Sequence, residues 1–390
     1  MQSIVIFDPA DVRANLLPMT YLRPVGALRV GMTTIREKWE ALLPGEYSWQ
    51  TVDYLRSKYP TSPGVTTKSS TIYIAGDVLP TQALVDKILS LEPGTSLIDP
   101  RGEAVAHVGM MQTATIELEE MPSRILSLPD IFMQNGDAII SDFPIVTDGL
   151  TSRPLDETVT VIGDRSQIFI HPDAGPVEGC VINVKKGPVY VGPGAEIMEG
   201  ACLRGPVVVM EGSVVNMGAK IYGATTIGPH SKVGGELNNV VIQGYSNKAH
   251  DGFLGNAVIG EWCNLGAGCT ASNLKNDYTE IKLWNYPAHR FLKTGLQFCG
   301  LIMGDHSKAG INTMLNTATV LGVGVNIHGS GFPRPFLASF TEGSTVGFTD
   351  VSMPKFFDTA RKVMARRGVE LTQTDIDILT RVREIAEQYR

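Results

Sequence analysis

Residues 191–233 read VGPGAEIMEGACLRGPVVVMEGSVVNMGAKIYGATTIGPHSKV. Val191, Ile197, Leu203, Val209, Val215, Ile221, Ile227 and Val233 fall six apart, and the residue four places after each of the first seven is small: Ala195, Ala201, Val207, Ser213, Ala219, Thr225 and Ser231. A helix needs apolar positions three to four apart and a half-buried strand alternates every two, so a six-residue beat fits neither. It marks a parallel β-helix built from hexapeptides. Each hexad makes one flat face of a triangular coil, with the aliphatic residue inward and the small one at the corner. Three hexads, about 18 residues, close a coil, and stacking at about 4.8 Å hydrogen-bonds each coil to its neighbours.

The beat returns on both sides of this run. Upstream stand Ile162-Gly163 and Ile168; downstream stand Ile259-Gly260, Leu265-Gly266, Met303-Gly304, Ala309-Gly310, Leu315, Leu321-Gly322 and Ile327. The solenoid is therefore expected over roughly residues 155–330, inside a domain of residues 151–335. Between Asn273 and Gly300 the period fails in a polar, aromatic stretch containing Pro287. A solenoid accepts such an insertion as a loop thrown out from a corner, and this one is expected to help build a site.

A chain of 390 residues, 43% hydrophobic and 19% charged, has material for two domains and an appendage. Its net charge of −7 gives no general attraction for nucleic acid or an anionic membrane. Any phosphate must be met by a few placed cations. No run of about 18 apolar residues occurs, and Met1 leads into SIVIF rather than a basic segment and a long apolar core, so a cytoplasmic protein is expected. The five cysteines, at 180, 202, 263, 269 and 299, are scattered, odd in number and without a CxxC, which disfavours a zinc knuckle or a disulfide framework.

Residues 1–150 have a different character. SIVIFD and TIYIAGD read as buried strands ending in an acidic residue, and TTIREKWEALL and ALVDKILSL read as amphipathic helices. The alternation predicts a mostly parallel α/β sheet, and ligands of such sheets bind at the carboxyl ends of the strands. That places Asp8, Arg13 and Asp77 along one rim. Beyond the solenoid, residues 336–390 are expected to form a tail with two helices, near 355–367 and 374–389, with a start at Thr372 or Thr374 and a stop at Gly368. The cluster Arg361, Lys362, Arg366 and Arg367 reads as a solvated helix face or a phosphate contact.

Residues 234–277, GGELNNVVIQGYSNKAHDGFLGNAVIGEWCNLGAGCTASNLKND, break the strict beat and bring Glu236, Asn238, His250, Asn264 and Asn273 into successive coils. At spacings of 14, Glu236, His250 and Asn264 meet only if the coils are locally irregular. The segment resembles the acetyl-transfer region of the bifunctional UDP-N-acetylglucosamine diphosphorylase/glucosamine-1-phosphate N-acetyltransferase family, whose pattern runs approximately E-[VL]-K-x…K-A-x-H-x-x-Y-[LV]-G-[DN]-x-x-I-G-x-x-x-N-[IL]-G-A-G-[TC]-x-[TA]-x-N. The match fixes His250, Gly255, Ile259-Gly260, Asn264 and Gly266-Ala267-Gly268 together.

The resemblance implies that His250 is the general base that takes a proton from a sugar amine as it attacks the acetyl thioester; an imidazole, titrating near neutrality, suits this task. Glu236 orients the ring or holds the amine, Asn273 positions sugar or thioester, and the Ala267 amide faces the thioester oxygen where negative charge builds. Asn264 belongs to the same acetyl-CoA-binding set. Two positions depart from the pattern, Phe253 for a tyrosine and Asn238 for a lysine. Lys220, Lys248, Lys275 and Lys282 are the local cations that stand in, Lys220 being best placed by register.

The front segment resembles the same family more loosely, as a variant branch with a short nucleotidyltransferase-like domain. FDPADVRANLLPMTYLRPVGALRVG lacks the glycine loop that wraps nucleotide phosphates but keeps Arg13 and an Arg23-Pro24 where lysine-proline is expected. GDVLP at 76–80 matches the Gly-Asp that holds Mg²⁺. By this resemblance Asp77 is the metal ligand and Arg13, Arg23 and Arg29 hold phosphates, with Asp130, Asn135 and Asp142 open as a second metal ligand; the alternative is a degenerate domain whose arginines make structural ion pairs.

The chain is thus expected to be an α/β nucleotidyltransferase-like domain followed by a left-handed parallel β-helix and a short helical tail. It would be a transferase using acetyl-CoA and Mg²⁺ on glucosamine 1-phosphate, UTP and N-acetylglucosamine 1-phosphate, as a homotrimer with its acetyl-transfer site between subunits. The competing readings are an acyltransferase or nucleotidyltransferase for another sugar, with one of the two domains inactive, and a scaffold without catalysis.

Overall fold

The computed structural model describes residues 2–62 and 69–390. Its centre is the solenoid. Inward residues stack in three columns. Ile221, Leu237, Leu254, Ala271 and Leu315 line one face, Ile227, Ile242, Ile259, Met303 and Leu321 the second, and Val233, Lys248, Leu265, Ala309 and Ile327 the third. All pairings between these coils are parallel, and all the columns but one residue are apolar and buried. The hexapeptide expectation thus holds.

The coils are not uniform. Strands Glu236–Gly244 and Phe253–Glu261 run through a corner without stopping, bending at Asn239 (φ 58°) and Asn256 (φ 45°). Asparagine tolerates this left-handed backbone better than most side chains. The insertion leaves the coil as foreseen and forms a hairpin of Lys282–Asn285 with Arg290–Lys293. Tyr286, 2% exposed, packs edge-on to Tyr21 of the front domain and Tyr389 of the tail, so the hairpin ties three parts of the chain together, while the base of the insertion returns to Asn273, whose C=O accepts from Cys299 N–H.

The front domain is a six-stranded sheet in which Gln2–Phe7 pairs in parallel with Gly45–Gln50 and Ile72–Ala75. Ala104–Val108 runs antiparallel to Ile72–Ala75 and Thr95–Ile98, and the other five strands share one direction, so the sheet is mostly parallel as expected, with one reversed strand. Helices Ile35–Leu42 and Gln82–Leu89 form where their apolar spacing predicts, capped by Thr34 and Thr81. In the tail, helices Met353–Ala365 and Gln373–Ala386 follow the expectation, with Thr372 and Asp375 as a reciprocal cap and Gly368 at φ 69° after the first.

The front domain covers the second face of the solenoid. Outward-pointing Tyr190, Val208, Val241, Val258, Ile302 and Val320 are all buried there. Covering a Val or Ile contributes about 1.5–3 kcal/mol each. The polar seam is matched group by group: Thr226 Oγ1 donates to Gly31 C=O at 2.9 Å, Gln243 exchanges hydrogen bonds with the backbone of Arg29, and Arg23 forks onto Asp305 at 2.8 and 3.1 Å with Glu261 at 3.2 Å.

Beside this ion pair lies His306, 5% exposed, whose Nδ1 has no partner among the described residues. Burial, with Lys308, Lys58 and Arg23 nearby, lowers its pKa to about 3. The unfolded value is about 6.5, so the protein keeps this contribution above pH 6.5 and loses about 1.4 kcal/mol per pH unit as pH falls from there toward 3. Chemical denaturation at pH 7.5 and 5.5 checks this: His306→Asn, which tolerates the local φ of 59°, is expected to show a pH dependence smaller than wild type by about 1.4 kcal/mol. Equal dependences would refute it.

Candidate functional site

The solenoid's first face and one of its edges gather most of the residues singled out by sequence. Lys220 pairs with Glu236 and Glu236 with Phe253 in adjacent coils, so these side chains stand in one outward row. Tyr222 and Asn238 form the next row. Tyr222 Oη donates to Glu236 Oε1 at 2.6 Å, and that bond, with some burial, raises the phenol's pKa. Asn273 Nδ2 donates to Asn256 Oδ1 at 2.7 Å and lies over Gly255, where a Cβ would meet the amide nitrogen at 2.6 Å.

His250 sits on the ridge leading into this face, three residues before Phe253, and is exposed. Gly235, immediately before Glu236, packs against the backbone of residues 250–252. Ala267 occupies the same ridge one coil on: Gly268 N–H donates to Asp251 C=O and Asn312 N–H to Ala267 C=O. Asn264 lies across the ridge on the third face, between Asn247 and Lys308. His250 thus stands between the face of Glu236 and Asn273 and the face of Asn264.

Of the other local cations, only Lys220 is exposed on this face. Lys275 donates to Thr279 in the hairpin arm, Lys282 pairs with Lys293 within it, and Lys248 is 1% exposed inside the solenoid. Sequence reasoning missed Tyr222, although its place two residues after Lys220 in a strand puts it on the same outward face.

The front domain requires corrections. Asp77 is fully buried, and both its oxygens accept from Arg124, at 2.6 and 3.2 Å; Arg124 also reaches Asp99 at 2.8 Å. A carboxylate so covered does not fit a metal ion, and no group of three or more potential ligands exists among the described residues. Arg13 is 7% exposed and is held by Asp8 at 3.0 Å, by Tyr54 Oη and by the carbonyls of Thr20 and Arg23. Arg23 is spent on Asp305, and Arg29 is half-buried with Nη1 on Met32 C=O at 2.6 Å. These arginines do not face a phosphate.

The open candidates for a second metal ligand are also structural. Asp130 caps a helix by accepting from Leu126 and Ser127 N–H, Asn135 accepts from Gly31 N–H, and Asp142 accepts from Met32 N–H and pairs with Lys38. The crevice itself is filled by Pro24–Leu28: a Cβ on Gly26 would meet Ile6 Cγ2 at 2.7 Å and the Trp49 ring at 3.2 Å. A cavity of about 430 Å³ does open nearby, lined by Leu42, Met121, Ile145, Arg124 and the Lys38–Asp142 pair. With Glu37 and Asp137 also on its wall, it offers no uncommitted cation.

A triangular parallel solenoid joined to a mixed α/β domain is the class that this geometry defines. Residues 4–151 match the sugar nucleotidyl transferase family model, so the chain carries a domain of that family at its front. A bifunctional sugar-1-phosphate nucleotidylyltransferase/acetyltransferase of Sulfurisphaera tokodaii is 32% identical over 149 residues, which is 37% of each chain. The bifunctional protein GlmU of Synechococcus elongatus is 26% identical over 185 residues, 45% of this chain and 36% of that one. The chain thus spans little more than a third of the length of these relatives. A UDP-N-acetylglucosamine acyltransferase of Francisella novicida overlays 60% of this chain and 76% of its own at 13% identity, with a TM-score of 0.33.

Because Asp77 is committed to Arg124, Asp77→Ala is expected to destabilise the protein by about 3 kcal/mol, the cost of leaving a buried cation short of a partner. Urea unfolding of the purified variant measures this. A variant as stable as wild type would show that the pair contributes nothing to the fold.

Proposed function

We propose that the solenoid transfers an acyl group from acyl-CoA to the amine of an amino sugar phosphate, with acetyl-CoA and glucosamine 1-phosphate as the first pair to test. The observation that carries this reading is the meeting, along one ridge and its adjoining face, of His250, Ala267, Glu236, Asn273 and Lys220. In the step, the amine nitrogen attacks the thioester carbon and its proton passes to His250. The C–S bond then breaks, and the leaving thiolate takes the proton as CoA thiol. The Ala267 amide stabilises the oxyanion, Glu236 holds the amine from its anchorage on Tyr222, Asn273 and Asn264 contact sugar and thioester from either side, and Lys220 meets the sugar phosphate.

A second reading, nucleotidyl transfer to a sugar phosphate at the front domain, is favoured by the family match over residues 4–151. Uridylyl transfer with UTP and Mg²⁺ belongs to this reading. It requires Arg124 to release Asp77 or other residues to hold the metal, and no step is derived from the present arrangement. The trimeric assembly is also proposed, supported by Met217 and Ile311, 71% and 69% exposed on the ridge that carries His250. Light scattering should give the mass of three chains, and a monomer at micromolar concentration would contradict it.

His250→Ala is expected to lower acyl-transfer turnover by roughly 10²–10⁴-fold while leaving the fold and acyl-CoA affinity near wild type. Steady-state kinetics with thiol detection and a binding titration measure both. Wild-type turnover of the variant at saturating substrates would remove His250 as the base.

A further inference from the structure

Lys248 occupies a place that the hexapeptide rule reserves for an aliphatic residue. It pairs with Val233, its column continues with Leu265, and it is 1% exposed. A buried amine without partners is costly. Here Nζ donates to Gly234 C=O at 3.0 Å and to His250 C=O.

The reason for this arrangement lies one coil below. Inward Val215 and Ile221 stand six apart across their corner, whereas Val233 and Leu237 stand only four apart, so the Gly234-Gly235 corner is two residues short. Backbone that would have filled the corner is missing beneath His250. Asn216, from the coil beyond, reaches across and donates from Nδ2 to Ala249 C=O at 2.7 Å. The carbonyls of the two peptide groups flanking His250 are therefore each held by a side chain, Asn216 before the histidine and Lys248 after it.

From this geometry we infer that Lys248 and Asn216 are positioning residues that fix the orientation of His250 by clamping the backbone on either side of it. The inference rests on the role proposed for His250. Burial lowers the Lys248 pKa to about 8, with Asp251 and Cys269 as its nearby acidic groups. An amine in either protonation state still offers the two N–H groups that the carbonyls need.

The test compares wild type, Lys248→Met and Lys248→Gln. Methionine fills the same space without a donor, and glutamine keeps two N–H donors at slightly shorter reach. Lys248→Met should lower kcat about tenfold or more with KM for both substrates within about twofold, because a displaced base slows proton transfer without removing a substrate contact. Lys248→Gln should recover part of the loss. In parallel, the imidazole resonance of His250, assigned by its absence in His250→Gln, should be displaced or broadened in Lys248→Met. If wild type is active and Lys248→Met keeps both its kcat and the His250 resonance, the inference fails. If wild type transfers no acyl group, the proposed function fails on its own, and the clamp is then decided by the resonance: moved in Lys248→Met, it stands; unmoved, it falls.

Discussion

Each coil of the solenoid must put one side chain per face into a narrow apolar interior while its backbone bonds to the coils above and below. Everything else in the chain answers to that register. Where the corner at Gly234-Gly235 loses two residues, the columns of inward side chains continue, but the corner backbone can no longer reach its neighbours in the usual way. Side chains then take over the hydrogen bonding, and the candidate site lies at this fault. Gly235 is brought up against the backbone of residues 250–252, with Glu236 N–H donating to Gly252 C=O, because the intervening turn has been cut away.

The same solenoid decides what the front domain does with its charges. One face of the coil carries valine, isoleucine and tyrosine outward, and the front domain covers it. Docking requires polar partners at the seam, and the Arg23 side chain is used there on Asp305, the Arg29 side chain on Met32 C=O and the Arg29 backbone on Gln243. Arg13 and Arg124 are used within the domain. Arg13, Arg23 and Arg29, expected to meet phosphates, are in this arrangement parts of the fold. The cover also removes one apolar face from those that an assembly of copies would otherwise have to bury.

The solenoid was legible because a six-residue beat has no competing explanation, and the insertion was legible as its interruption. His250, Ala267 and Glu236 were singled out as candidates through a pattern of residues, since spacing alone set them apart. Lys248 was misjudged for a physical reason: it was read as a local cation standing in for the sugar-phosphate lysine, and its inward position follows only after the two residues missing at Gly234-Gly235 and the one missing at Asn239, where Leu237 and Ile242 stand five apart, are counted. The roles of Asp77 and Arg13 were not legible because a Gly-Asp at a strand end looks the same whether it faces a metal or an arginine distant in sequence. Arg124, 47 positions after Asp77, left no local mark. The one reversed strand of the otherwise parallel sheet, Ala104–Val108, was hidden likewise, since strand direction depends on pairings that no short run of sequence encodes.

The central claim is that the solenoid's ridge performs acyl transfer, and the release of CoA thiol from purified protein tests it most directly. With acetyl-CoA and glucosamine 1-phosphate together, thiol should appear in step with N-acetylated sugar phosphate, and omission of the amino sugar should stop it. Absence of thiol release with amino sugar phosphates, from a protein that releases pyrophosphate from UTP and N-acetylglucosamine 1-phosphate, would contradict the account and place the chemistry in the front domain.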